Sequence, residues 1–400
     1  MVQNINSLFE NFLNSGSVFA HKKILQMNHV PETIVHRDEL TEAVASILAP
    51  ALRTDRPSNL FIYGKTGTGK TLIVKRVTES MVGFSEKNNI PLRVIYVNCK
   101  LKKVADTEYR LIAQLAREFG KVIPSTGLPT DQVYSIFYEV LDSHEQTIIL
   151  VLDEIDQLKR AGDNILYNLT RINSELKRAQ ISIVGISNDL TFADHLDARV
   201  KSSLSEEELL FPPYNAIQIK GILQERAKRA FREDALKEGV LEKCAAYAAG
   251  GHGDARRALE LLRVAGELAE RKGCRYVEIK HIDEAEEKID RDKIFDIALH
   301  QPRQVQLVLY AILELAPKRT IVVTGEIYSL YEKLCKQMKL RPLTQRRVSD
   351  IIGELDLLGI IQTKLISKGR YGRTRNITIT IPSISMIKIK EVLTKSLAHG

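Results

Sequence analysis

Residues 60–71 read Leu-Phe-Ile-Tyr-Gly-Lys-Thr-Gly-Thr-Gly-Lys-Thr, a short apolar run followed by a loop punctuated with glycine. The run predicts a buried strand, and the helix-compatible residues 72–77 predict a helix beginning near Lys70, which together give the context of a P-loop. Glycines at 64, 67 and 69 let the backbone turn tightly and aim its N–H groups inward, toward the point where the positive end of the helix dipole also acts. A polyphosphate is expected there. The whole loop, Gly64, Lys65, Thr66, Gly67, Thr68, Gly69, Lys70 and Thr71, would cradle it. Lys70 offers a mobile cation for the β- and γ-phosphates, and Thr71 a hydroxyl for Mg²⁺.

Downstream, residues 147–156 read Thr-Ile-Ile-Leu-Val-Leu-Asp-Glu-Ile-Asp. A continuous apolar run ending in carboxylates is how a strand buried on both faces delivers acids to the carboxyl edge of a parallel sheet. Asp153 is the candidate to hold Mg²⁺, and Glu154 to orient and deprotonate an attacking water. Residues 181–186 predict another buried strand, and Asn188 at its end would lie beside Glu154 if the two strands are neighbours. Residues 92–97 alternate as a strand, and the insert that follows, from Cys99 to Gly127, carries a helical pattern at Tyr109, Ile112, Leu115, Ala116 and Phe119. These alternations predict an α/β fold built on a P-loop parallel sheet.

A chain of 400 residues exceeds one hydrophobic core, and 44% hydrophobic with 27% charged residues is the composition of a soluble globular protein. No apolar stretch approaches the roughly 18 residues of a membrane span, so the expected location is intracellular, in the cytoplasm, with no membrane partner. Four scattered cysteines, Cys99, Cys244, Cys274 and Cys335, give no metal-ligand or disulfide pattern and are expected to be buried thiols. The charge is uneven. Residues 297–400 hold 17 Lys+Arg against 7 Asp+Glu, a net of +10, while the first 296 hold 41 basic and 43 acidic residues. This asymmetry points to a tail that meets a polyanion, nucleic acid ahead of membrane.

Three domains are expected, at 1–213, 214–296 and 297–400. The first begins with an arm of scattered apolar residues, then a helix with a periodic face at Leu40, Val44, Ile47, Leu48 and Leu52, before which His36 and Arg37 read as a solvated helix start. The second is wholly helical, a small lid, with Asp254 an N-cap and Arg256 a candidate to reach the nucleotide. In the third, helices over 305–315, 324–338 and 344–358 precede strands over 360–366 and 376–381 around a basic tip at 367–375, the pattern of a winged helix. Winged helices also serve as protein-contact modules. The net charge and the tip favour duplex DNA, with Arg346, Arg347, Lys368, Arg370, Tyr371, Arg373 and Arg375 as candidate contacts.

The motifs in order are Val-Pro-Glu-Thr-Ile-Val-His-Arg-Asp-Glu-Leu (30–40), the P-loop, Leu-Asp-Glu-Ile-Asp (152–156) and Ser-Asn-Asp (187–189). Asp-Ala-Arg-Val-Lys-Ser-Ser-Leu (197–204), Phe-Pro-Pro-Tyr-Asn (211–215) and Gly-Asp-Ala-Arg-Arg-Ala-Leu (253–259) follow. With the winged helix behind them, they resemble archaeal replication initiators related to the origin recognition complex and its helicase-loading partner, members of the AAA+ ATPases. The resemblance implies that Asn188 is a sensor 1 residue, Arg199 an arginine finger for a neighbouring subunit and Arg256 a sensor 2 arginine. Val30, Tyr214 and Arg226 complete the expected nucleotide-binding set, and the insert after Cys99 matches the family's DNA-gripping helical insertion. The implied function is an ATP-dependent initiator, with ATP or ADP and Mg²⁺ as cofactors and slow hydrolysis as a switch. Its implied partners are origin duplex, the minichromosome maintenance helicase, and other copies or paralogues on DNA. A transcriptional regulator and a clamp-loader-like remodeller are the alternatives.

Overall fold

The computed structural model describes residues 16–26, 29–31, 33–100, 107–124, 127–158, 162–204, 206–251, 253–316, 322–358, 360–367, 373–379 and 383–398. They fall into two compact units, Met1–Ile282 and Asp283–Gly400.

In the first unit, helix α1 (Asp38–Leu48) leads to β1 (Leu60–Tyr63), α2 (Lys70–Lys87), β2 (Leu92–Asn98), α3 (Glu108–Glu118) and α4 (Thr130–Leu141). Then come β3 (Gln146–Asp153), α5 (Gly162–Arg171), β4 (Ala179–Ser187), α6 (Ala198–Leu204) and β5 (Glu207–Leu210). The five strands are all parallel, in the order β2-β3-β4-β1-β5. Every residue of β3 is buried, because the sheet is covered on both faces. Its side chains alternate between two cores: Ile148, Leu150 and Leu152 pack with α3 and α4, while Ile149 and Val151 pack with α1 and α2. The parallel order places the ends of β1, β3 and β4, and so the P-loop, Asp153 and Asn188, along one carboxyl edge.

The lid is α7 (Ala216–Ala230), α8 (Val240–Gly250) and α9 (Ala255–Arg271), followed by α10 (Ile279–His300). Asn215 and Gln218 form a reciprocal capping box at the start of α7. Asp254 caps α9, accepting from the backbone N–H groups of Arg256 at 2.8 Å and Arg257 at 3.4 Å. The N-terminal arm, whose packing the sequence leaves open, docks on this lid. The rings of Phe19 and Phe231 pack with centroids 4.8 Å apart, the N–H groups of Ala20 and His21 donate to the Ala230 carbonyl at 2.9 and 3.0 Å, and Lys22 pairs with Glu267 at 2.9 Å. Gly266 makes room for it: a Cβ there would lie 2.3 Å from the Phe19 ring. Helix α10 runs unbroken through the expected boundary at 296/297 and stops at His300, two residues before Pro302.

In the second unit, α11 (Arg303–Leu315), β6 (Val322–Val323), α12 (Thr324–Gln337) and α13 (Gln345–Leu357) precede the hairpin β7 (Ile361–Ser367) and β8 (Arg373–Ile379), with α14 (Ser383–Ala398) last. The three strands are antiparallel in the order β6-β8-β7. Val348, Ile351, Ile352 and Leu355, the expected stripe of α13, are buried with Ile312, Tyr331 and Ile377. This is a winged helix, with two departures from expectation. β8 begins at Arg373, not Asn376, because Arg373, Thr374 and Arg375 pair with Ser367, Ile366 and Leu365, so those arginines stand on the strand and not in the tip. Helix α14 was not anticipated; its β-branched isoleucines mask a helical stripe of Ile389, Leu393 and Leu397. Cys99, Cys244 and Cys335 are buried as expected, but Cys274 is half-buried. Among the described residues, no helix is long and apolar enough to cross a membrane.

Candidate functional site

The P-loop spans the gap between the end of β1 and the start of α2. Gly67 and Gly69 take φ values of 72° and 96°, a left-handed backbone that a side chain disfavours. Contact makes the same demand at Gly67, where a Cβ would lie 1.7 Å from Asp254 Oδ1. The loop closes on itself, Thr68 Oγ1 donating to the Lys65 carbonyl at 2.8 Å. Lys70 Nζ donates to the carbonyls of Gly64 and Lys65 at 2.6 and 2.8 Å and to Asn188 Oδ1 at 3.0 Å. Burial, and then the Arg256 guanidinium, lower its pKa to about 8. The negative charge of an anionic ligand would offset both effects.

Thr71 Oγ1 donates to Asp153 Oδ2 at 3.0 Å, which brings the P-loop hydroxyl against the acid at the end of β3. Asp153 Oδ1 accepts the backbone N–H of Glu154 at 2.9 Å. That bond helps hold Glu154 at φ 54°, a left-handed conformation costing a non-glycine residue on the order of 1–3 kcal/mol. The turn sets the carboxylate of Glu154 beside the same cavity of 190 Å³ that Gly69, Lys70, Thr71, Asn188 and Arg256 line. An exposed Lys100 pairs with it at 3.5 Å. Asn188, one residue past the end of β4, the strand next to β3, is fixed by Asp156, whose Oδ1 accepts the Asn188 N–H at 3.0 Å and the Ser187 hydroxyl at 3.2 Å.

A second cavity, of 290 Å³ and mostly apolar, adjoins the loop and is lined by Val30, Ile34, Gly69, Tyr214, Ile222 and Leu259, with Arg226 and Arg256 at its polar side. It suits a flat heterocycle beside a polyphosphate. Tyr214 is buried, while Val30 is 42% exposed. Arg226 is buried too, and its guanidinium donates to the carbonyls of Ile24 and His29, each at 3.2 Å, which ties the arm to the cavity wall. Arg256 is the one expected residue lining both cavities from the lid. The lid touches the loop directly: the Ala255 N–H donates to the Gly67 carbonyl at 3.3 Å, and the Thr66 hydroxyl to Asp254 at 3.5 Å.

The donor set also fits Mg²⁺. Thr71 and Asp153 are hard oxygen donors, and among the described residues no group of three or more His, Cys, Asp or Glu forms a closed metal cage. Mg²⁺ is held in this way, by one or two protein oxygens with phosphates and waters filling the rest.

Sequence reasoning missed three residues. Arg37, read as solvated, is buried; its Nε donates to the Thr68 carbonyl at 3.3 Å, its Nη2 to the Pro212 carbonyl, and its guanidinium stacks 3.8 Å from the Tyr214 ring. It pins the P-loop to the turn before the lid. Arg37→Ala, which strands two carbonyls, is expected to lower stability by roughly 2–4 kcal/mol in urea unfolding; an unchanged midpoint would contradict this. Asp156, three residues past the end of β3, and Tyr96, within β2, are the other two. The signal for Asp156 lay in the quoted Leu-Asp-Glu-Ile-Asp.

Arg199 lines neither cavity. It is 65% exposed on α6, holds Asp197 at 3.0 Å and lies 5.0 Å from the Tyr167 ring. Arg199→Ala is expected to leave the ATP affinity of the isolated monomer within about twofold of wild type in isothermal titration. A large loss would place it in its own site.

On the winged helix, Arg346 and Arg347 are exposed in the first turn of α13, whose N-cap Thr344 accepts the Arg347 N–H at 3.4 Å. Arg347 pairs with Glu354 at 3.1 Å. Arg375 is turned inward: Nη1 donates to the Ser349 carbonyl at 3.1 Å, tying β8 to α13 in place of projecting to solvent. Lys368, Arg370 and Tyr371 lie outside the described residues, and Arg373 is described in its backbone alone.

A five-stranded parallel sheet with P-loop and acidic strand end, a helical lid carrying an arginine to the same cavity, and a winged helix define an AAA+ ATPase with an appended winged-helix module. The comparisons agree: residues 53–191 match the AAA domain, 220–287 the Cdc6 AAA+ ATPase-type lid domain, and 297–388 the CDC6 C-terminal winged helix domain. The chain is 49% identical to the ORC1-type DNA replication protein of Pyrococcus abyssi over 409 aligned residues, covering 99% of this chain and 97% of that one. It is also 49% identical to ORC1-type DNA replication protein 1 of Methanosarcina mazei, covering 95% and 92%. Among solved structures, the Aeropyrum pernix ORC1 protein in complex with DNA superposes with a TM-score of 0.85 at 40% identity, covering 96% of this chain and 99% of that one. The chain belongs to the ORC1-type DNA replication proteins.

Proposed function

We propose that this chain is an ATP-dependent initiator of DNA replication that binds origin duplex and helps recruit the minichromosome maintenance helicase. What carries the reading is the union, in one chain, of a nucleotide cleft between sheet and lid with a winged helix, in a protein 40% identical to one solved on DNA.

In this reading the P-loop amides and Lys70 hold the phosphates of ATP, and the Val30, Tyr214 and Arg226 cavity takes the base. Thr71 and Asp153 would hold Mg²⁺, which when bound would supply positive charge to offset that of the polyphosphate. Glu154, turned to the cavity by its left-handed backbone, accepts a proton from the attacking water, and Asn188 orients that water. Arg256 contacts the phosphates from the lid, and Arg199 serves a neighbouring copy or paralogue. Because Asp254 and Ala255 of the lid touch Gly67 and Thr66, a γ-phosphate in the loop biases the lid, so slow hydrolysis works as a switch. We place the functional boundaries at 213/214 and 296/297.

On DNA, Arg346 and Arg347 at the start of α13 enter the major groove, and the wing residues Lys368, Arg370, Tyr371 and Arg373 meet backbone or minor groove. The insert after Cys99 adds a second grip. The test is fluorescence anisotropy of the full chain on duplex across a salt series. Affinity is expected to fall steeply with salt as counterions are released; no binding at low salt would remove DNA from the reading and favour a protein-docking remodeller.

A further inference from the structure

The phosphate cavity contains a hydroxyl that the motifs leave unused. Tyr96, on β2, pairs in register with Val151, two residues before Asp153 on β3. Its phenol donates to Asp153 Oδ2, the oxygen that also accepts from Thr71. The other oxygen, Oδ1, accepts the Glu154 N–H at 2.9 Å. Asp153 is only 4% exposed, so its orientation is set by these donors and not by water. The Tyr96 ring is held in its turn, with Lys75 Nζ 4.3 Å from its centroid. Lys75 stands one turn beyond Thr71 on α2, so the helix that opens at the P-loop also clamps the tyrosine. The packing of the ring against the core needs only a phenyl group; the hydroxyl serves Asp153.

We propose that Tyr96 is a positioning residue for the metal–nucleotide site: its hydroxyl fixes the carboxylate of Asp153 in the orientation that receives a divalent cation, and Lys75 fixes Tyr96. This rests on the nucleotide site proposed above. Thr71 can donate its proton to Asp153 while a lone pair on the same oxygen ligates a metal, so its bond to Asp153 does not compete with metal binding. Tyr96 is then the partner behind the carboxylate, and loss of such a partner typically weakens metal affinity 10- to 100-fold.

The test uses full-length Tyr96→Phe, which keeps the ring and its packing. Mn²⁺, read by electron paramagnetic resonance, is titrated into the protein–ADP complex, and ADP affinity is measured separately in chelator. The expected result is Mn²⁺ binding weakened roughly 10- to 100-fold, ADP affinity in chelator unchanged, and ATP hydrolysis lost at limiting Mg²⁺ but restored at saturating Mg²⁺. Lys75→Met, which frees the ring without touching the carboxylate, is expected to shift Mn²⁺ affinity in the same direction by a smaller factor. Unchanged Mn²⁺ affinity in both variants overturns the proposal, as does a parallel loss of ADP affinity in chelator. If wild type itself binds neither ADP nor Mn²⁺, the nucleotide-site reading fails first and the proposal with it.

Discussion

Glu154→Gln is expected to slow ATP hydrolysis by roughly 10²- to 10⁴-fold while leaving ATP affinity nearly intact. The substitution keeps the size of the side chain and its place in the left-handed turn after Asp153, and removes only the group that can take a proton from water. Lys70→Ala should give the opposite split. It deletes the ammonium that donates to the loop carbonyls and Asn188 and that, in the proposed site, would contact a bound phosphate, a charge-assisted contact worth roughly 1.5–3 kcal/mol or 10- to 150-fold in affinity. Binding by isothermal titration and single-turnover hydrolysis separate the two. Wild-type turnover in the glutamine variant, or wild-type affinity in the alanine variant, would break the assignment of roles.

Arg346→Ala is expected to cost roughly 1 to 3 kcal/mol at the preferred duplex and little on a scrambled one. Arg346 is exposed in the first turn of α13 and has no hydrogen-bond or ion-pair partner among the described residues. Arg347 is already engaged by Glu354, so its substitution should weaken binding less than that of Arg346. Arg375→Ala should act in a third way. Its guanidinium holds the Ser349 carbonyl, so its loss loosens the wing on α13 and lowers the melting temperature along with affinity on all sequences. Anisotropy on specific and scrambled duplexes, beside a thermal melt, tells these apart; equal losses on both duplexes for Arg346→Ala would move it from base reading to phosphate contact.

The difference between Arg346 and Arg375 shows how far the sequence could be read. The P-loop, the acidic end of β3 and the stripe of α13 are local patterns, each complete within about a dozen residues, and their strand or helix context is carried by the same residues. Arg37 is not legible in that way. Its acceptors lie 31 residues away at Thr68 and 175 away at Pro212, and a charged residue before a helix reads as solvated until the sheet closes. Nothing in the alternation of β2 marks Tyr96, and only the pairing of β2 with β3 brings it to Asp153. Arg375 looked like part of a basic tip because charge hid the strand pairing that carries it back to α13. Helix α14 escaped because runs of isoleucine favour a strand on propensity, and its buried stripe is defined by the core it meets.

The central claim, that this ATPase marks the places where replication begins, is tested most directly by mapping the chain's binding sites across the genome that encodes it and comparing them with measured replication start sites. The account predicts that the strongest sites coincide with replication starts, and that Arg346→Ala loses them while the protein remains folded and abundant. Strong sites confined to promoters, with none at a replication start, would contradict it and make the chain a transcriptional regulator built on the same fold.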